Sequence, residues 1–219
     1  MMNRMTDRQI AVTGTGRISV KPDWIIISVH MKAADPDYAK AVALGEKQLQ
    51  EIQTAVLDGG FRKNDLRTGS FVIRPEYDES IQDGKLKREF LHFTVEHDLS
   101  LGMKYDMIKL SEALEVITHC SMKPEISIVF TVKNQDKIRD SLLKEAAEDA
   151  HRKAVVLTAA AGVKLGELVQ ITYGRESVDA SSPAMMKMDS VTFSRKNVFD
   201  IVPAEIEEEE SVACVWQIR

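Results

Sequence analysis

The sequence predicts an α+β protein in which a mainly antiparallel sheet carries helices packed on one face. Three observations lead there. Runs of alternating polar and apolar residues are long, and two of them flank Gln82-Asp83-Gly84-Lys85, whose Asp-Gly pair favours a hairpin turn. Three stretches with apolar residues at helical spacing interrupt those runs. The two kinds of segment mix without the regular βαβ repetition of a parallel sheet.

Residues 9–15 and 17–33 read as strands, with Lys21-Pro22-Asp23 as a corner in the second. Ile25, Ile27, Val29 and Met31 alternate on one face, the core face, and Trp24, Ile26, Ser28 and His30 take the other. A helix at about 36–58 follows, with Asp35 suited to its N-cap, Pro36 to its first turn and Gly59-Gly60 to its stop. Its apolar stripe is Tyr38, Ala41, Val42, Gly45, Leu49, Ile52 and Val56.

Two long strands, 67–78 and 87–102, come next, the second aligning Leu91, Phe93, Val95, His97, Leu99 and Leu101. A helix at about 105–120 presents Met107, Leu110, Ala113, Leu114 and Ile117, and residues 125–133 read as a strand. The longest helix, about 135–161, stops at Gly162; its alanines at 146, 147, 150, 154 and 161 suit a close approach to a sheet. A strand at 165–174 precedes a stretch, 175–203, with no sustained period, and a loop of that length inside a domain is functional or disordered. The last strand alternates Val212, Cys214, Trp216 and Ile218 inward.

Composition bounds the function. With 219 residues, 44% of them hydrophobic, the chain can bury a sizeable core. A net charge of −5, with acids and bases interleaved, argues against nucleic acid as partner. Two cysteines, Cys120 and Cys214, require no disulfide framework. No run is long enough for a transmembrane segment, and the polar start, Met1 to Asp7, lacks the apolar core of a signal peptide. The expected location is therefore cytoplasmic.

Motifs with chemistry are scarce. Gly14-Thr15-Gly16 precedes a strand, whereas a phosphate loop opens a helix, so a turn or bulge is expected there. Of the five histidines, His92 and His97 point to opposite faces of one strand, and His97 reads as a hydrogen-bonded core or interface residue. Cys120 ends a helix beside His119, where the dipole disfavours a thiolate. Glu207 to Glu210 reads as a solvated strand edge, with a weak cation site as the alternative. No catalytic, cofactor-binding or metal residue is assigned, and no cofactor is expected.

Val12-Thr-Gly-Thr-Gly-Arg-Ile-Ser-Val-Lys-Pro-Asp23, Leu66-Arg-Thr-Gly-Ser-Phe-Val-Ile-Arg-Pro-Glu-Tyr77, the segment Ala150 to Gly166 and the terminal Pro203-Ala-Glu-Ile206 together resemble the SIMPL-domain family. The resemblance spans almost the whole chain and implies one SIMPL-like α+β domain over 1–219, with intertwined subdomains at about 9–103 and 104–219. It also implies a non-enzymatic assembly or interaction protein, homo-oligomeric and linked to stress, in a family without established catalytic residues. The competing expectation is a small-ligand or metal-binding protein, or an enzyme, with a pocket between subunits. Apolar groups off the core face mark the expected subunit interface: Trp24 and Ile26, with Met185, Met186 and Met188 in the long loop.

Overall fold

Twelve residues of uninterrupted alternation, Gln9–Val20, form the first strand, β1, which ends where Pro22 removes a ladder donor. The computed structural model describes residues 8–82, 85–174, 186–188 and 202–219. After β1 come β2 (Trp24–Asp35), α1 (Tyr38–Asp58), a short 3₁₀ turn (Lys63–Asp65), β3 (Leu66–Gln82), β4 (Lys85–Lys104) and α2 (Met107–Thr118). The chain continues through β5 (Glu125–Thr131), α3 (Gln135–Ala160), β6 (Leu165–Thr172), β7 (Met186–Met188) and β8 (Ile206–Ile218). The strands form two sheets, β1-β8-β6 and β3-β4-β2-β5-β7, in which every pairing is antiparallel. The fold class is α+β.

The chain divides into two compact units. One gathers residues 1–21, 132–182 and 205–219; the other gathers 22–131 and 183–204. In the second unit α1 and α2 cover one face of the five-stranded sheet. Ile25, Ile27, Val29 and Met31 of β2 are buried there with Leu99 and Leu101 of β4, Ile128 and Phe130 of β5, and Leu110, Leu114 and Ile117 of α2. The Asp37 carboxylate caps α1 by accepting from the Lys40 amide at 3.0 Å. Asp35 binds one step earlier, accepting from the Asp37 amide, so the cap falls two residues after its expected place. At the other end Gly60 adopts φ 80°, the left-handed stop that glycine permits.

In the first unit α3 packs on β1 and β8, with Ala146, Ala150 and Ala154 buried against Val12, Val212, Cys214 and Trp216. Gly14 and Gly16 lie within β1 in regular register with Val212 and Glu210. The expected turn or bulge is absent because the glycines answer a different demand. A Cβ at Gly14 would fall on the Ala146 carbonyl, and one at Gly16 on the Leu142 carbonyl. The helix backbone therefore rests directly on the strand. The buried row of α3 runs through Leu142, Ala146, Ala150, Ala154 and Thr158, so Leu157, about 100° round the helix from Thr158, is 50% exposed.

Three groups of α3, one turn apart, reach the edge of β1 that β8 leaves open. Glu145 accepts from the Arg17 amide at 3.1 Å and Asp149 from the Thr15 amide at 2.9 Å, while Lys153 donates to the Thr13 carbonyl at 3.2 Å. Asp149 is only 6% exposed and also binds Lys153 and Arg152. Lys153 first, then the Thr15 amide, hold its carboxyl below the ordinary carboxylate range. A row of helix side chains thus occupies the position of a neighbouring strand.

Candidate functional site

The outer face of the five-stranded sheet, opposite α1 and α2, carries the densest set of chemical groups. Alternation along β2 puts Ser28 and His30 on this face, and the register supplies their neighbours. His30 stands opposite Asp98 of β4 on one side and Glu125 of β5 on the other. Two residues along, Ser28 stands between Ser100 and Ser127. These two rows line an open groove of about 540 Å³.

His30 Nδ1 lies 2.7 Å from Asp98 Oδ1, and the Ser70 hydroxyl donates to Asp98 Oδ2 at 2.5 Å. Ser70 reaches Asp98 because β3 carries one extra residue, Gly69, between its pairings with Leu99 and Asp98. The Ser70 hydroxyl, and then His30, hold the Asp98 carboxyl below its ordinary range. Serine, aspartate and histidine are all present, but in the wrong order for nucleophilic catalysis. A triad places the imidazole between carboxylate and hydroxyl so that it can take the proton. Here the carboxylate stands in the middle, and Ser70 donates to it rather than to the imidazole.

A second feature is the distal half of the β3–β4 hairpin. β2 pairs with β4 only as far as Phe93, so residues 76–82 and 85–92 pair with each other alone. They form a two-stranded arm on the order of 24 Å long. Its exposed apolar groups are Tyr77, Leu86, Phe90 and Leu91. Tyr77 and Phe90 meet edge-on at 5.9 Å, Arg88 lies 4.1 Å over the Tyr77 ring, and Phe90 continues to Phe93 and Tyr38. Alternation along each strand does not reveal this overhang; Asp83 and Gly84 lie outside the described residues.

Of the expected interface residues, Trp24 and Ile26 are half-buried on the outer face, two rows and one row from the serines. Met186 and Met188 belong to β7, opposite Ile128 and Ile126 of β5, and Met185 lies outside the described residues. His97 is buried at 5% exposure but is not hydrogen-bonded: neither ring nitrogen has a partner among the described residues. Its neighbours are apolar, and the Phe71 ring stands edge-on at 4.5 Å. Burial pushes its pKa down, with Asp98 opposing. Burial raises both thiols, Cys120 with help from Glu51, so neither is a ready nucleophile.

The acidic run divides by alternation, Glu210 buried and Glu207 and Glu209 exposed. Burial and the neighbouring Glu210 raise Glu208. The run pairs with β1 on one side and, because β6 reaches only Ala213, lies along an edge on the other among the described residues. Among the described residues no group of three or more His, Cys, Asp or Glu is placed to hold a metal ion, and no helix is long and apolar enough to cross a membrane.

CutA from Synechococcus elongatus, a solved structure, superposes on 59% of this chain and 95% of its own, at 16% identity with a TM-score of 0.23, too loosely to inform the fold. The 26 kDa periplasmic immunogenic proteins of Brucella melitensis and Brucella abortus are each 24% identical over 173 residues, 78% of this chain and 69% of theirs. Residues 10–216 match SIMPL, described as a protein of unknown function (DUF541). That match runs from β1 into β8, through both compact units, and the chain belongs to the SIMPL family.

Proposed function

We propose that this chain is a non-enzymatic, self-assembling interaction protein whose subunits meet through the aromatic face of the β3–β4 arm. The arm carries the reading. A two-stranded ribbon without a covering layer is marginally stable in water, and each large apolar side chain left exposed forgoes about 1.5–3 kcal/mol of burial. Tyr77, Leu86, Phe90 and Leu91 lie together on that ribbon, and docking against a second copy would bury them. The placing of Ser70 on the Asp98 carboxylate rather than on the imidazole supports a binding role over catalysis, and the net charge of −5 supports a protein partner over nucleic acid. Stress association enters only through the family resemblance; survival of a deletion strain of the native host under heat or oxidant checks it. Cys120 and Cys214 are free thiols, so assembly needs no disulfide of this chain in any compartment. Fractionation of the host separates the expected cytoplasmic location from the periplasmic one in the relatives' name.

Light scattering on the full chain tests the assembly. The expected mass is a multiple of 24.6 kDa, falling toward one subunit in Tyr77→Ser with Phe90→Ser while far-UV circular dichroism stays the same. A monomeric wild-type protein at micromolar concentration would refute the reading, and an oligomer indifferent to both substitutions would remove the arm from it.

A further inference from the structure

The groove on the outer face of the five-stranded sheet plays no part in the assembly just described. We propose that it binds the ring of a saccharide. Neighbouring strands are about 4.8 Å apart and alternate residues about 6.8 Å, so Asp98, His30 and Glu125 over Ser100, Ser28 and Ser127 span roughly 10 by 7 Å, the size of a substituted pyranose. The serine hydroxyls can each donate and accept, and none has a hydrogen-bond partner among the described residues. The carboxylates accept only, which suits the donor-rich rim of vicinal hydroxyls. Asp98 is fixed in place by Ser70 and His30, so its free lone pairs are aimed before a ligand arrives.

An aromatic side chain lies beyond the serine row on the same face of β2. The indole of Trp24 lies across Gly102, one row beyond Ser100, so near that a side chain at Gly102 would meet the ring nitrogen at 3.1 Å. A flat ring beside a lattice of hydroxyl, carboxylate and imidazole offers the two faces of a sugar what each needs, an apolar platform for its C–H groups and partners for its O–H groups. A metal ion would need more converging ligands. A polyanion would meet Asp98 and Glu125 with like charge.

Saturation-transfer NMR and calorimetry on the full chain, with glucose, N-acetylglucosamine, cellotriose and chitotriose as probes and glycerol as acyclic control, test the site. The expected result is saturation transfer to the ring protons of at least one trisaccharide and none to glycerol. Its dissociation constant should rise about tenfold or more in Asp98→Asn and in Trp24→Ala and recover in Trp24→Phe. Ser28→Ala with Ser127→Ala, changes too small to endanger the fold, should weaken binding as well. No transfer from any saccharide at about 10 mM would overturn the proposal, as would binding that survives both Asp98→Asn and the serine pair. The arm variant Tyr77→Ser with Phe90→Ser should bind as the wild type does, which keeps a failed assembly distinct from a failed site; loss of binding there would assign the effect to the subunit contact and also overturn the proposal.

Discussion

Gly14 has no side chain because the backbone of α3 takes the space, and the same holds two residues on at Gly16. Gly14→Ala should destabilise the chain by about 3 kcal/mol, the upper range for forcing an extra methyl into a packed interior; urea unfolding measures it. Gly69→Ala, where the nearest atom to an added Cβ is the Asp98 carbonyl oxygen at 3.5 Å, should cost far less. His97 makes the complementary case, a polar ring in an apolar place. Burial holds its pKa below the ordinary imidazole value of about 6.5, so the folded chain takes up a proton later than the unfolded chain does. The stability it contributes is complete above the unfolded value and is lost as the pH falls through the folded one. Wild-type melting temperature should therefore fall by a few degrees on going from neutral pH to about 5.5, a fall that His97→Phe abolishes. An identical acid response in the variant would shift the effect to another group.

Among the elements, those whose patterns are local were legible in the sequence. The core face of β2, the stripes of α1 and α2 and the stop of α3 at Gly162 follow from spacing alone, and the structure buries those faces, apart from the exposed Tyr38 at the start of α1, or supplies that turn. What spacing cannot contain is register. That Ser28 lies on the outer face of its strand is written in β2, but that Ser100 and Ser127 flank it depends on which strands pair and where. The groove was invisible for that reason. The arm was missed for another: alternation shows that β3 and β4 are long, and only the shorter β2 beside them reveals the overhang. Asp149 likewise looked like one more acid on a solvated helix until β1 was placed beneath it. Asp149→Ala should speed amide exchange at Thr15 on the order of tenfold, since a charge-assisted bond to that amide is lost. An unchanged Thr15 amide, measured by exchange NMR, would show that the strand edge does not depend on the helix.

At the scale of the whole molecule, two compact units are each assembled from separated stretches of chain. Neither unit therefore corresponds to a contiguous fragment, and a cut between β5 and α3 should yield two pieces that unfold more readily than the intact chain in limited proteolysis. Both units use antiparallel sheets covered by helix, and in the first a row of helix side chains seals a strand edge with an arithmetic of its own. Four helix residues advance about 6.0 Å and two strand residues about 6.8 Å, so successive rungs lag by roughly 0.8 Å. The two scales work like a vernier, coinciding over the rungs at Glu145, Asp149 and Lys153 and drifting apart beyond them. A fourth rung would pair Leu157 with Ala11 or Ser141 with Ser19, and neither position carries one; Ser141 turns back to its own helix. Such a seal tolerates many changes of letter but hardly any change of spacing. One residue inserted between Glu145 and Lys153 would swing every later rung about 100° around the helix, whereas the same insertion past Leu157 would leave all three rungs where they are.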